Sequence, residues 1–524
     1  MVEPVFDALI IGGGPAGSAA ARLLATWGHS VLLLTKTVKA TRSLGESLPP
    51  SCQKLFDLLG ITAAVNQSGF LASTGNTVWW GEQRMRTARF AEGTSGWQVE
   101  RRDFDTLLLQ LAARAGARLQ TDALVRRVEL APTETAPGQA GVTAHFLTQA
   151  GPQSIRGRFV LDCSGRTGVI ARFGFRQPEG GRTTLALTTV WKQPDGWRLE
   201  DETHTLVESY GDGWAWSVPV TRTERYVTLM VDPRATQLTR GHALTSCYDA
   251  ELAKTSAFRP LLEGATRTAT PWGCDASLYK AHTYGTPGVL LVGDAASFID
   301  PLSSYGVKKA LASAWLAAVV AHTSLTDASL AGAALDLFNE REREMHDVLT
   351  RQSAQFFAHA AQRHLHPFWT GRAVPGGPLD TPDTVTVPDI DRLRQDPAVL
   401  AAFDTLRKSR ELRLRRSPHL RIDSYPAISA RRIVMEDRLS VANWPSSQRG
   451  VRFLRDVDLI RLTELAPEHR QVPDLFDTYN RLCPPVGLPD FLGALSVLLA
   501  KGVLENLTVQ QPALRRIEKK ETPG

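Results

Sequence analysis

The chain has 524 residues, 43% hydrophobic and 22% charged, enough apolar material for a large core and too much for wholesale disorder. Sixty basic against fifty-four acidic side chains leave a formal charge of +6, which permits an anionic ligand without calling for nucleic acid. Five scattered cysteines with no CxxC pair argue against a disulfide framework and against a bound metal, and they suit a reducing cytoplasm.

Glu3 and Asp7 precede the first apolar run, so no secretory signal is expected there. Val5 to Ile11 reads as a short strand, and Gly12-Gly-Gly14-Pro15-Ala16-Gly17 follows it. Ser18 to Trp27 is Ala- and Leu-rich and helical, Gly28 suits a C-cap, and Val31 to Leu34 reads as a second strand. GxGxxG alone is a weak signal, but strand, GxGxxG, helix and strand within about 30 residues form a dinucleotide-binding unit. Gly12 makes the turn, Gly14 admits a pyrophosphate, and Gly17 packs helix on strand. The diphosphate then rests on the helix N-terminus at Pro15 and Ala16, where free N–H groups favour negative charge. At the end of the second strand, where an acidic residue usually meets the ribose, this chain has Thr35 followed by Lys36; a hydroxyl still donates or accepts.

Four further segments follow in order: Arg42 to Pro50 with Glu46 and Ser47, Trp97 to Asp105 with Arg101, Phe159 to Arg166, and Val289 to Ala296 with Gly293 and Asp294. Asp300-Pro301-Leu-Ser303-Ser304-Tyr305-Gly306-Val307 extends the last of them and opens an Ala-rich helix. Together these resemble the FAD-binding core of aromatic-ring monooxygenases, geranylgeranyl-reductase-like proteins and flavin-dependent halogenases, over roughly residues 1 to 345. The resemblance implies FAD as cofactor. It places Gly12, Gly14 and Gly17 on the diphosphate, Arg42 and Arg101 along the ADP portion, and Asp294 on the ribityl or diphosphate part. Pro301 to Val307 would pass beside the isoalloxazine. Asp294 could instead cap a helix, and the two arginines could be surface residues.

Details narrow the branch. Asp162-Cys-Ser164-Gly165 differs from the Asp-Gly pair of hydroxylases that use NADPH directly, and a flavin reduced by a separate reductase is expected. Gly213-Trp214-Ala-Trp216-Ser-Val-Pro219 is similar to the WxWxxP pattern of flavin halogenases, although it also suits a strand with two tryptophans on one face. Ser73 stands where halogenases carry their lysine, and Ser303 replaces a glutamate found in some of them. The Ser73-x-Gly75-Asn76 to Trp79-Trp-Gly81 form looks closest to flavoproteins that hydroxylate a partner protein's tryptophan during tryptophylquinone biogenesis. This resemblance implies transfer of oxygen from a flavin C4a-hydroperoxide, formed with molecular oxygen, to an indole ring of a protein or peptide. Ser73, Asn76, Trp79, Trp216, Ser303, Ser304 and Tyr305 are the candidate pocket residues. The alternatives are a halogenase using Lys308 or Lys309, and a flavoprotein that acts mainly by holding a partner.

Alternation returns at Leu185 to Trp191, Thr203 to Tyr210 and Arg225 to Val231, suggesting an inserted sheet. Ala310 to Leu325 is too short and polar to cross a bilayer, and no membrane or nucleic-acid partner is expected. Pro367 to Pro388, rich in Pro, Gly and Thr, reads as a linker. Seven cations between Arg407 and Arg421 read as a solvated helix face or the dock of an acidic partner. Val457 to Leu465, Val472 to Leu482 and Leu488 to Ala500 look helical before Val503-Leu504, similar to a winged-helix unit. The expected fold is α/β. A Rossmann-like FAD-binding domain spans 1–180 and 275–345, and a β-sheet substrate domain spans 181–274 with part of 70–100. Helix and linker cover 346–390, and a mainly helical winged-helix-like module covers 391–524.

Overall fold

The computed structural model describes residues 5–36, 43–81, 84–130, 141–179, 183–236, 238, 243–373, 390–440 and 450–507. It divides into two compact units, one of residues 1–382 with 428–433, the other of 383–427 with 434–524.

In the first unit a strand β1 (Val5–Ile11) enters a helix α1 (Pro15–Thr26), which returns to β2 (Val31–Leu34). Pro15 sits at the first helical position, where its missing N–H costs nothing. β1 lies parallel between β2 and the last residues of the strand Gly151–Asp162. The strands Arg118–Gln120 and Val289–Leu291 extend the parallel sheet on either side. β2 is buried along its whole length, as expected when helices cover both faces of a parallel sheet. The Ala-rich helix Gly306–Thr326 packs closely on α1, its many alanines allowing the approach, and the 31-residue helix Ala331–Ala361 packs outside it.

A second, mostly antiparallel sheet carries the expected insertion: Leu185–Lys192, Thr205–Tyr210, Gly213–Pro219 and Glu224–Val231, with Gly75–Trp79 added parallel to Thr205–Tyr210. Strand periodicity puts its two faces into separate cores. One packs Leu187, Leu206, Leu229 and Tyr248, and the other packs Ala186, Trp214, Met230 and Trp369.

The segment read as a linker differs in its first part. Pro367–Thr370 is a helical turn whose Phe368 and Trp369 are buried, with the Trp369 indole donating to the carbonyls of Tyr210 and Gly211. Two aromatic side chains outweigh the local Pro and Gly content. Residues 374–389 lie outside the described residues.

The second unit is built on Pro397–Lys408 against Leu488–Ala500, with Leu459–Leu465 and Val472–Leu482 beside them. Asp458 caps Leu459–Leu465 by accepting from the Ile460 and Arg461 N–H groups. Leu504–Asn506 pairs antiparallel with Leu414–Arg416. The cationic run is therefore not one helix face. The helix stops at Lys408, Arg415 and Arg416 lie on a strand, and Arg415 pairs with Glu505. Among the described residues, no helix is long and apolar enough to cross a membrane.

Candidate functional site

The carboxyl ends of β1 and β2, the start of α1 and the inner face of the second sheet enclose a cavity of about 890 Å³. Its position outside the ends of parallel strands is where α/β sheets bind ligands. Gly12 has φ +109°, and a Cβ there would lie 2.4 Å from the Cys163 carbonyl oxygen. A Cβ on Gly17 would lie 1.8 Å from the Gly12 carbonyl oxygen, so both positions require glycine to bring helix and strand together. Gly14 is different: a Cβ there would meet nothing closer than Asp105 at 3.8 Å and Arg101 at 3.9 Å, because it faces the open cavity. The result is a cradle of backbone N–H groups shaped for an anion.

Gly12, Gly14, Pro15, Ala16, Thr35 and Lys36 line one end of this cavity. Gly17 lies behind the lining, and Arg42 lies outside the described residues. Glu46, Ser47 and Arg101 form the flank. Arg101 grips Asp105 one turn along its helix through two 3.0 Å bonds and reaches Glu46 at 3.4 Å. Against the opposing pull of burial, Asp105 and Glu46 hold the Arg101 guanidinium firmly protonated. Burial, aided by the nearby Asp294, raises the Glu46 pKa even though Arg101 opposes it. Asp105 was not singled out in the sequence, though its i,i+4 spacing from Arg101 is a legible signal.

Asp294 also lines the cavity, and its Oδ1 is buried without a hydrogen-bond partner. Gly293 sits behind the wall against Ala16 and Ala310. Pro301, Ser304, Gly306 and Val307 line the next stretch. The Asp300 carboxylate accepts from the Leu302 N–H, and burial pushes its pKa up to about 6. Ser304 carries a left-handed backbone, φ 51°.

The inner end is apolar. Trp214 and Trp216 line it from alternate positions of one strand, their rings 5.1 Å apart, with Val207, Ala186, Phe298 and Leu302 around them. Of the candidate pocket residues, Trp216 and Ser304 reach the lining; Ser73, Asn76, Trp79, Ser303 and Tyr305 do not. Ser73, wholly buried, accepts from the Gln98 amide at 3.1 Å. The same amide nitrogen donates to Thr205, which does line the cavity, so Ser73 stands one amide behind the wall. Asn76 pairs with Thr205 across strands without reaching the lining. Strand parity sends Trp79 to the opposite face of the sheet, and its neighbour Trp80 joins the cavity-side aromatic cluster instead, 6.3 Å from Trp214 and 5.3 Å from Trp369. Ser303 is spent within its own turn, bonding the Asp300 carbonyl and the Tyr305 N–H. The Tyr305 ring lies under the Lys308 ammonium at 4.6 Å.

The expected reading of Asp162 as part of a cofactor motif also has a structural side. Its buried carboxylate accepts from the N–H groups of Ser164, Ile170 and Ala171, which fixes the turn beside Gly12.

The residues present fit FAD: a glycine cradle at a helix N-terminus, an arginine held between carboxylates, and the Asp294 carboxylate on the wall of the same space. Those groups would hold the nucleotide, with the aromatic end left for the ring system and a substrate.

Comparison with known proteins agrees. The FAD binding domain family matches residues 5–328. A tryptophan 2-halogenase of Chondromyces crocatus is 33% identical over 330 residues, 59% of this chain and 60% of that protein. The chain thus spans about three-fifths of that relative's length. The solved flavin-dependent halogenase CmlS shares the fold with a TM-score of 0.74 at 21% identity, covering 97% of this chain and 98% of its own. The peptidyl tryptophan dihydroxylase QhpG, essential for tryptophylquinone cofactor biogenesis, does so with a TM-score of 0.66 at 20% identity, covering 95% of this chain and 100% of its own. The chain belongs to the FAD binding domain family and takes FAD as its cofactor.

Proposed function

We propose that this FAD-dependent enzyme is a monooxygenase that hydroxylates an indole ring, a tryptophan in a partner protein or peptide, during biogenesis of a quinone cofactor. The observation that carries the reading is the lack, among the described residues, of any lysine lining the apolar end of the cavity. Lys309 is turned inward and donates to the carbonyls of Gly293 and Ser297, and Lys308 donates to Ser51. Lys36 lines the cavity at the end of β2, among the glycine cradle. A wall of indoles, aliphatic groups and hydroxyls has no amine with which to capture a halogenating species.

The oxygen chemistry is supplied by the bound flavin with molecular oxygen. Trp214, Trp216, Phe298 and Leu302 exclude water and present flat apolar faces to an aromatic substrate. Arg101 and the start of α1 anchor the nucleotide at the far end, so that the ring system projects toward those indoles. The Asp162-x-Ser164-Gly165 turn supports reduction by a separate flavin reductase. The fold likeness to a peptidyl tryptophan dihydroxylase runs through 95% of the chain, which supports a polypeptide substrate and a partner-holding role for the second unit.

A second reading, halogenation of an aromatic substrate, is favoured by the 33% identity to a tryptophan 2-halogenase. Mass spectrometry of a tryptophan-bearing partner protein or peptide, treated with the reduced enzyme under isotopically heavy O2 in the presence of bromide, separates the two. The expected product gains heavy oxygen and no bromine. A brominated product, or oxygen drawn only from water, overturns the hydroxylase reading.

A further inference from the structure

Gln98, on the strand Gly96–Glu100, stands behind the cavity wall and is 1% exposed. Its amide nitrogen lies 2.9 Å from the Thr203 carbonyl oxygen, 3.0 Å from Thr205 Oγ1 and 3.1 Å from Ser73 Oγ. A carbonyl oxygen can only accept, so the contact with Thr203 fixes which end of the amide is nitrogen. That carbonyl is itself held in place, because the Thr203 N–H and hydroxyl both donate to Asp201, at 2.9 and 2.7 Å. The other end of the amide, Gln98 Oε1, is buried with no hydrogen-bond partner. An unsatisfied buried oxygen destabilises a fold, so this side chain calls for a reason other than packing.

The reason lies one hydroxyl further in. The strands Leu185–Lys192, Thr205–Tyr210 and Gly213–Pro219 give the cavity Ala186, Thr205, Val207, Trp214, Trp216 and Val218, and of these side chains only Thr205 carries an oxygen. Val207 pairs across strands with Trp216, and Thr205, two residues earlier, shares its face. A threonine hydroxyl has one hydrogen and two lone pairs. Gln98 takes one lone pair, and among the described residues Thr205 Oγ1 makes no other hydrogen bond. One lone pair and the hydroxyl hydrogen are left, on a side chain 4% exposed beside the indoles. The Trp214 and Trp216 ring nitrogens can only donate, so neither can receive an N–H. Asp275, also on the wall, is engaged by Arg166 at 2.7 Å.

We propose that Thr205 is a specificity-determining residue that accepts the ring N–H of an indole substrate, and that Gln98 is the positioning residue behind it. An indole ring carries a single polar hydrogen, so anchoring that hydrogen at Thr205 selects which edge of the ring turns toward the flavin. Thr205 thereby helps to set which ring carbon is modified, and it disfavours rings that lack the N–H. A site built to hydrogen-bond a group rejects the analogue without it, because the site's own buried polar atom is then left unpaired. The inference rests on the aromatic-substrate reading of the cavity and holds whether oxygen or halogen is transferred.

The test is binding to the oxidised full-chain holoenzyme, followed by the perturbation of flavin absorbance. The probes are N-acetyltryptophan amide and N-acetylbenzothienylalanine amide, in which sulfur replaces the ring N–H. Wild type is expected to bind the indole probe roughly three- to tenfold more tightly. Thr205→Val and Gln98→Met are expected to bring the two probes within about twofold of each other, and Thr205→Ser to keep the preference. Equal binding of both probes by wild type overturns the proposal, a result that requires no variant to fold. A preference that survives in folded Thr205→Val overturns the assignment of Thr205, and one that survives in Gln98→Met overturns that of Gln98; either leaves the indole reading standing. Failure of wild type to bind either probe overturns the indole reading itself, and this proposal with it.

Discussion

Gly14 lines the cavity, and we propose that cofactor binding depends on it most directly. It alone of the three motif glycines faces open space, so a side chain there leaves the fold intact and fills the anion cradle. Gly14→Asp is expected to abolish flavin binding, since the new carboxylate meets the diphosphate and adds to the negative field of Asp105, 3.8 Å from the added Cβ. The measurement is visible absorbance of the purified protein alongside its circular dichroism. A folded, fully yellow variant would refute the placement of the nucleotide. His322 makes a separate acid-range prediction. Burial first, then His29, Arg431 and Arg432, push its pKa down to about 4. The folded chain therefore binds fewer protons than the unfolded chain between about pH 6.5 and 4, and stability is lost as pH falls through that window. His322→Gln is expected to flatten this part of the urea-midpoint profile against pH.

At the level of elements, the turn Pro367–Thr370 backs the sheet that forms the aromatic end of the cavity. Trp369 is fully buried, its ring 5.3 Å from Trp80, and Trp80 packs in turn on Trp214. Trp369→Ala is expected to cost about 3–5 kcal/mol by the cavity it leaves. It also removes the donor to the Tyr210 and Gly211 carbonyls. Trp369→Phe should recover much of the packing and none of that bond. Chemical unfolding of both variants checks the order. The strands around Trp79 show how narrow the margin of sequence reading is here: one residue of parity exchanges Trp79 for Trp80 between the two faces of the sheet. The alternation of Trp214 and Trp216 was legible because the strand carries both on one face.

For the whole molecule, the division of labour between FAD-binding core and electron source is testable. The Asp162-x-Ser164-Gly165 turn is held by a buried carboxylate that accepts three N–H bonds, a rigid wall beside the cofactor cradle. Anaerobic stopped flow is expected to show slow, unsaturating reduction of the bound flavin by NADPH alone and fast reduction once a flavin reductase is added. Rapid saturable reduction by NADPH alone would contradict it.

Local chemistry was enough to place the cradle. Gly12, Gly14, Gly17 and the start of α1 act through backbone geometry within one strand–turn–helix unit, and Arg101, Glu46 and Asp294 could be placed along it from motif order. The inner end of the cavity depended on contacts that no short segment contains. Whether Ser73 touches a substrate is decided by Gln98 and Thr205, which lie 25 and more residues away in sequence. Whether Lys309 is a free amine is decided by the carbonyls of Gly293 and Ser297, 16 and 12 residues away in sequence. A polar side chain's role is set by its partners once water is excluded, and those partners are brought together only when the sheets and helices pack.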